Sequence, residues 1–199
     1  MRKTVPPKVV LCDLDGVVWL AHQPILGSVR AIASLREAGI RVVFVTNNSF
    51  STYDEQVAAL ASIGIPAEGD IVTSAMSAAT AMKSGWRVLV CGSRGLIEEI
   101  GRVTNEVVVA YHEPMASGDF DAVVVGFHRE FNYQVLTDAL TAVRGGAVLI
   151  GSNDDPTYPT PNGPIPGGGS ILAAIEKASG VMPTVTGKPY EPMALLVRE

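Results

Sequence analysis

The run Val9-Val10-Leu11-Cys12-Asp13-Leu14-Asp15-Gly16-Val17 decides how the rest of the chain is read. Its four leading apolar residues predict a buried parallel strand, Val9–Cys12. Two carboxylates at i and i+2 leave that strand at its C-terminal end. In open α/β sheets that end is where ligands bind. Two neighbouring acids repel, and a divalent cation compensates them well. Gly16 permits a sharp turn and a close approach to a ligand.

Outward from this run the chain repeats one pattern, a short apolar strand followed by a helical stretch. Ser28–Ala38 reads as a helix stopped by Gly39, Arg41–Val45 as a strand, and Tyr53–Ile63 as a helix stopped by Gly64. Ile71–Thr73 reads as a strand, with Ser74 as the N-cap of a helix to about Ser84. A second cycle follows. Its strands are Val88–Cys91, Val107–Ala110, Ala122–Gly126 and Val148–Gly151, and its helices are Gly95–Ile100, Tyr133–Arg144 and Ser170–Ser179. Val185–Thr186 reads as a short strand and Pro192–Glu199 as the start of a helix. Alternation of this kind predicts parallel sheets covered on both faces.

The 199 residues carry a net charge of -5 and are 47% hydrophobic, which suits one domain or two small ones with a real core and excludes overall disorder. The acidic balance argues against nucleic-acid binding by phosphate neutralisation. No apolar run is long enough to span a membrane. The basic start, Met1-Arg2-Lys3, has no apolar segment after it, so a cytoplasmic location is expected. Cys12 and Cys91, each in an apolar run and without a CxxC partner, are expected to be buried thiols. His22, His112 and His128 are scattered and are expected to be surface or partly buried residues.

Two further motifs follow strands. Arg41–Val45 runs into Thr46-Asn47-Asn48-Ser49, whose hydroxyls and amides can hold an anion. Late in the chain, Lys188 stands between Gly187 and Pro189 on a restricted backbone that can aim an ammonium at a phosphate. The loop Asn153–Gly169 holds five prolines and four glycines, a length and composition common in functional loops. Trp19 fits either the mouth of a site or the core. No GxGxxG follows the first strand and no GxSxG is present, which removes a dinucleotide oxidoreductase and an α/β-hydrolase.

In this order, DxDG, then Thr46, then a distant Lys188, the motifs resemble the haloacid dehalogenase superfamily. The closer similarity is to its NagD-like and p-nitrophenyl-phosphatase-like phosphatases, supported by Val72-Thr73-Ser74-Ala75, by Asn153 with Asp155 and Pro159, and by Pro166-Gly167-Gly168-Gly169-Ser170. The resemblance implies a Rossmann-like parallel-sheet core with an inserted α/β cap: residues 1–73 as the first part of the core, 74–184 as the cap and 185–199 as the second part of the core. It implies Asp13 as nucleophile and Asp15 as general acid and base. Thr46, Asn47 and Asn48 would contact substrate or phosphate, and Lys188 would neutralise charge. Magnesium would bind through Asp13 and Asp15, a small phosphate ester would be the substrate, and the cap would form a homodimer.

The family's later acidic motif, which supplies another magnesium ligand, has no counterpart after Lys188, and Glu191 is not promoted to that role. The expectation is therefore a core incomplete at the C-terminus, with Val9–Cys12 as an exposed apolar edge. The alternative function is an inactive protein of the same fold that binds phosphate ligands or self-associates.

Overall fold

The computed structural model describes residues 7–20, 22–110 and 119–198. His112, Glu199 and the first six residues lie outside that set.

Strand β1 (Val9–Cys12) opens the chain, followed by a two-stranded hairpin of β2 (Trp19–Leu20) and β3 (Gln23–Pro24). Helix α1 (Ser28–Glu37), strand β4 (Arg41–Thr46), helix α2 (Tyr53–Ser62) and strand β5 (Ile71–Thr73) complete the first unit. The strands form a parallel three-stranded sheet in the order β1-β4-β5, with Val9 opposite Arg41 and Phe44 opposite Ile71. Alternation divides β4 between two faces. Val42 and Phe44 join a core with Ile32 of α1 and Leu60 of α2. Val43 and Val45 meet Met193, near the end of the chain.

The second unit begins with α3 (Ser74–Thr80), followed by β6 (Arg87–Cys91), α4 (Arg94–Gly101), β7 (Glu106–Val109) and β8 (Ala122–Val125). Next come α5 (Tyr133–Arg144), β9 (Val148–Gly151), the hairpin β10 (Thr157–Tyr158) and β11 (Ile165–Pro166), α6 (Gly168–Ser179) and β12 (Thr184–Val185), after which α7 (Glu191–Leu196) returns to the first sheet through Met193. Its sheet has five strands, all parallel, in the order β12-β9-β8-β6-β7. Leu89, Val123 and Leu149 share one face and a core with Ile171 and Ile175 of α6. Val88, Val124 and Ile150 share the other with Ala78 of α3 and Ile100 of α4. A sheet buried on both faces explains why these strands read as continuous apolar runs.

Several expectations are corrected. The N-cap of α3 is Thr73, not Ser74: its hydroxyl accepts from the Met76 amide. That helix ends at Thr80, short of Ser84. Helix α6 starts at Gly168 rather than Ser170, and the stretch 153–169 contains a hairpin as well as loop. The last short strand is Thr184–Val185, and it extends the five-stranded sheet. Cys91 is buried and its thiol is pushed up to about 12 by burial, but Cys12 is only half-buried. Both are free thiols. Strand β1 is an edge strand of its sheet, with Val9 46% and Leu11 58% exposed. Among the described residues no helix is long and apolar enough to cross a membrane.

The two units are stitched together around the loop after β4. Ser74 Oγ donates to the Asn47 carbonyl at 2.7 Å, and Asn153 Nδ2 donates to the same carbonyl at 2.9 Å. Ser152 Oγ donates to Ser49 Oγ at 3.0 Å, and the Gly95 amide donates to the Phe50 carbonyl at 3.0 Å. These bonds bring the C-terminal ends of the strands in both sheets to a shared crevice.

Candidate functional site

That crevice is a cavity of about 900 Å³, within the usual range for small-molecule sites. Its lining includes Asp13, Asp15, Thr46, Asn47, Asn48 and Lys188, so all six residues singled out by sequence meet there.

Asp13 follows β1 directly. Its Oδ1 accepts from the Leu14 amide at 2.8 Å and lies 2.6 Å from Lys188 Nζ. Charge-assisted contacts of this length are the strong kind. The chain then turns tightly. Gly16, at φ +82°, donates its amide to the Trp19 carbonyl at 2.7 Å. A side chain at Gly16 would be strained by that φ.

The turn brings Trp19 back over Asp15, and Trp19 Nε1 donates to Asp15 Oδ1 at 3.2 Å. Trp19 itself is only 2% exposed, so it belongs to the core and touches the site through one polar atom. The Tyr158 hydroxyl donates to the same Asp15 oxygen at 3.2 Å. Burial is the main cause that pushes the Asp15 carboxyl above the usual carboxylate range; the Tyr158 hydrogen bond opposes it and the Asp13 charge adds to it. The Tyr158 phenol is raised too, first by burial and then by the Asp15 charge.

Thr46 ends β4 and is buried, with Oγ1 accepting from the Asn48 amide at 3.1 Å. Its own O–H stays available as a donor. The Asn48 side-chain carbonyl accepts from the Phe50 and Ser51 amides at 2.9 and 3.2 Å and shapes the turn.

The Asn47 side chain does something the sequence did not announce. Its Oδ1 accepts from the Lys188 amide at 2.8 Å, while its Nδ2 donates to Asp155 Oδ2 at 2.9 Å and to the Lys188 carbonyl at 3.2 Å. One amide thus fastens the lysine loop and the long loop to the end of β4.

The far wall is aromatic and basic. Tyr158 stacks on Phe127 with centroids 5.8 Å apart and planes at 16°, and Phe127 meets Phe50 at 5.7 Å. Arg94 sits 4.9 Å over the Phe50 ring and pairs with Glu55 at 2.6 Å. Arg129 completes the wall. Of these, Tyr158 lay in a loop whose composition marked it; Phe50, Phe127, Arg94 and Arg129 carried no sequence signal. Gly167 and Gly168, from the glycine run, also line the cavity.

His22 is exposed, at φ 67°, and packs on Trp19 with centroids 4.8 Å apart. His128 is buried beside Phe131. Among the described residues no three His, Cys, Asp or Glu side chains form a metal-binding group.

Known proteins resemble this chain in sequence and in fold. The description haloacid dehalogenase-like hydrolase matches residues 10–104. The chain is 39% identical to D-glycerol 3-phosphate phosphatase of Mycobacterium tuberculosis, over 90% of this chain and 50% of that protein. It therefore spans half the length of that relative. It is 33% identical to an acid sugar phosphatase of Staphylococcus saprophyticus, over 94% of this chain and 71% of that one. A crystal structure of glycerol phosphate phosphatase from Mycobacterium tuberculosis, in complex with magnesium, superposes with a TM-score of 0.81 at 36% identity, covering 96% of this chain and 57% of that one. On sequence and on fold alike, the chain belongs to the haloacid dehalogenase-like hydrolases.

Proposed function

We propose that the chain is a phosphatase that hydrolyses small organic phosphate monoesters through an aspartyl-phosphate, with magnesium as cofactor. The observation that carries this reading is the meeting of Asp13, Asp15, Thr46 and Lys188 at one cavity. The relatives whose names are phosphatases support it. In this reading residues 1–73 and 185–199 are the core and 74–184 a cap over it.

The Asp13 carboxylate attacks phosphorus and forms a new P–O bond. As the bond to the leaving oxygen breaks, protonated Asp15 gives that oxygen its proton, and an alcohol leaves. Asp15, now a carboxylate, takes a proton from water as the water oxygen attacks phosphorus. Phosphate departs, Asp13 is restored and Asp15 is protonated again. Thr46 and the backbone amides of the following loop hold the phosphoryl oxygens, and Lys188 offsets the charge gathering between phosphate and Asp13.

The donors present fit magnesium. Asp13 Oδ2 receives no protein donor among the described residues, and the Asp15 main-chain carbonyl is a second hard oxygen. Magnesium binds through one or two carboxylates and fills its remaining positions with water and phosphate oxygens. When bound there it supplies charge neutralisation on the phosphate.

A second reading, phosphate-ligand binding without turnover, is favoured by one observation: among the described residues Asp13 and Asp15 are not joined by a third acidic group in a metal-holding cluster, and Asp155, which lines the same cavity, is engaged by Asn47. One experiment separates the two. Phosphate release from p-nitrophenyl phosphate and a panel of small esters is measured with and without magnesium, beside Asp13→Asn. Magnesium-dependent release that the substitution abolishes is the expected result. Silence from the folded chain, with retained phosphate binding, establishes the second reading instead.

A further inference from the structure

We infer that Tyr158 is a positioning residue: its hydroxyl, brought by the hairpin β10–β11, sets the direction in which Asp15 delivers a proton to the leaving group. The inference rests on the phosphatase reading and concerns a residue that the long loop brings to the cavity wall.

The geometry is specific to one oxygen. Trp19 Nε1 and the Tyr158 hydroxyl both donate to Asp15 Oδ1, each at 3.2 Å. Those two donors occupy the lone pairs of Oδ1. A proton on the Asp15 carboxyl therefore resides on Oδ2, the oxygen with no protein donor among the described residues. Two hydrogen bonds thus choose the acidic oxygen and, since Asp15 lines the cavity, the side from which the proton leaves.

The two donors differ in origin. Trp19 stands four residues from Asp15, is 2% exposed and is fixed by the same tight turn. Tyr158 is 143 residues away in sequence. It reaches Asp15 because β10 pairs with β11, Tyr158 opposite Ile165, and because its ring stacks on Phe127. The acid is aimed correctly only when this hairpin is seated. An O–H···O distance of 3.2 Å lies at the long end of the range, and bonds of this kind shorten when a ligand closes the site.

The test uses leaving groups of different need. An alkoxide leaves poorly without a proton, whereas p-nitrophenolate leaves readily without one. Tyr158→Phe keeps the ring and its stack and removes only the hydroxyl. It is expected to lower the ratio of kcat on glycerol 3-phosphate to kcat on p-nitrophenyl phosphate by about tenfold, a part of the roughly 10²–10⁴ that general acid catalysis supplies, with KM for each ester held within about twofold. Phe127→Leu keeps the hydroxyl and removes the ring that the hairpin stacks on; it moves the same ratio in the same direction by less. An unchanged ratio, equal losses on both esters, or a rise in KM at constant kcat overturns the inference and makes Tyr158 a structural or specificity residue. Failure of the unsubstituted chain on both esters overturns the phosphatase reading itself, and this inference with it.

Discussion

Lys188 Nζ lies 2.6 Å from Asp13 Oδ1, although the two residues come from opposite ends of the chain and from loops after strands of different sheets. Both side chains are partly exposed, at 30% and 44%. An ion pair of that exposure contributes little to stability, about 0–1 kcal/mol. In the proposed function its role is to hold an ammonium beside the nucleophile where a phosphate would enter. Lys188→Met is therefore expected to leave the urea midpoint nearly unchanged and to lower kcat by about 10²–10³, the usual cost of one preorganised donor. Lys188→Arg does not restore the rate, because a planar fork replaces a point charge. Steady-state kinetics beside equilibrium unfolding checks both statements.

Asn47 holds three hydrogen bonds between separate loops, two of them to Lys188 backbone atoms and one to Asp155. At about 1 kcal/mol net for each, Asn47→Ala is expected to cost about 2–3 kcal/mol. The same change frees the lysine loop, so kcat falls as well. Loss of activity with full stability would refute the fastening role and leave Asn47 as a direct ligand contact.

Gly95 and Gly101 stand in the same helix and answer oppositely. A methyl at Gly95 would overlap the Ser51 carbonyl oxygen across the junction of the two units, whereas one at Gly101 meets open space. Alanine in a helix is favoured over glycine by up to about 1 kcal/mol, but forcing atoms into a packed contact costs about 1–3 kcal/mol. Gly95→Ala should destabilise and Gly101→Ala should stabilise, by urea unfolding of each.

His128 supplies a pH dependence. Burial is the main cause holding its imidazole below the ordinary value of 6.5, with Glu130 acting in the other direction. The unfolded chain then binds a proton more readily than the folded one. Stability from this group is fully present above 6.5 and is lost as pH falls below it through the folded value. Unfolding midpoints at about pH 7.5 and about pH 5.5 should fall further apart in the unsubstituted chain than in His128→Gln. An equal separation in both would show that the loss comes from other groups.

Much of the scaffold was legible because parallel strands read as continuous apolar runs, even β1 at its exposed edge, and amphipathic helices show their period: β1, β5 and β9 match the sequence expectation residue for residue, as does α5. The two hairpins, β2–β3 and β10–β11, were not legible, since strands of two residues carry no period. Thr73 and Ser74 are adjacent hydroxyls, and only the hydrogen bond to Met76 tells which one caps. For the site, strand ends announced Asp13, Asp15 and Thr46 because ligand crevices form there. Asn47 as a fastener and Tyr158 as a partner of Asp15 depend on contacts across more than a hundred residues, which no local pattern records.

The contact between Asp13 and Lys188 has a temporal side. It closes a loop that contains nearly the whole chain, and contacts of such long range form late in folding. Each sheet can order itself through neighbouring segments, yet the ammonium meets the carboxylate only once both stand and Asn47 has clasped the lysine loop. Under rising denaturant the order reverses: the pocket comes apart while helices and strands persist, so loss of ligand binding runs ahead of loss of circular dichroism.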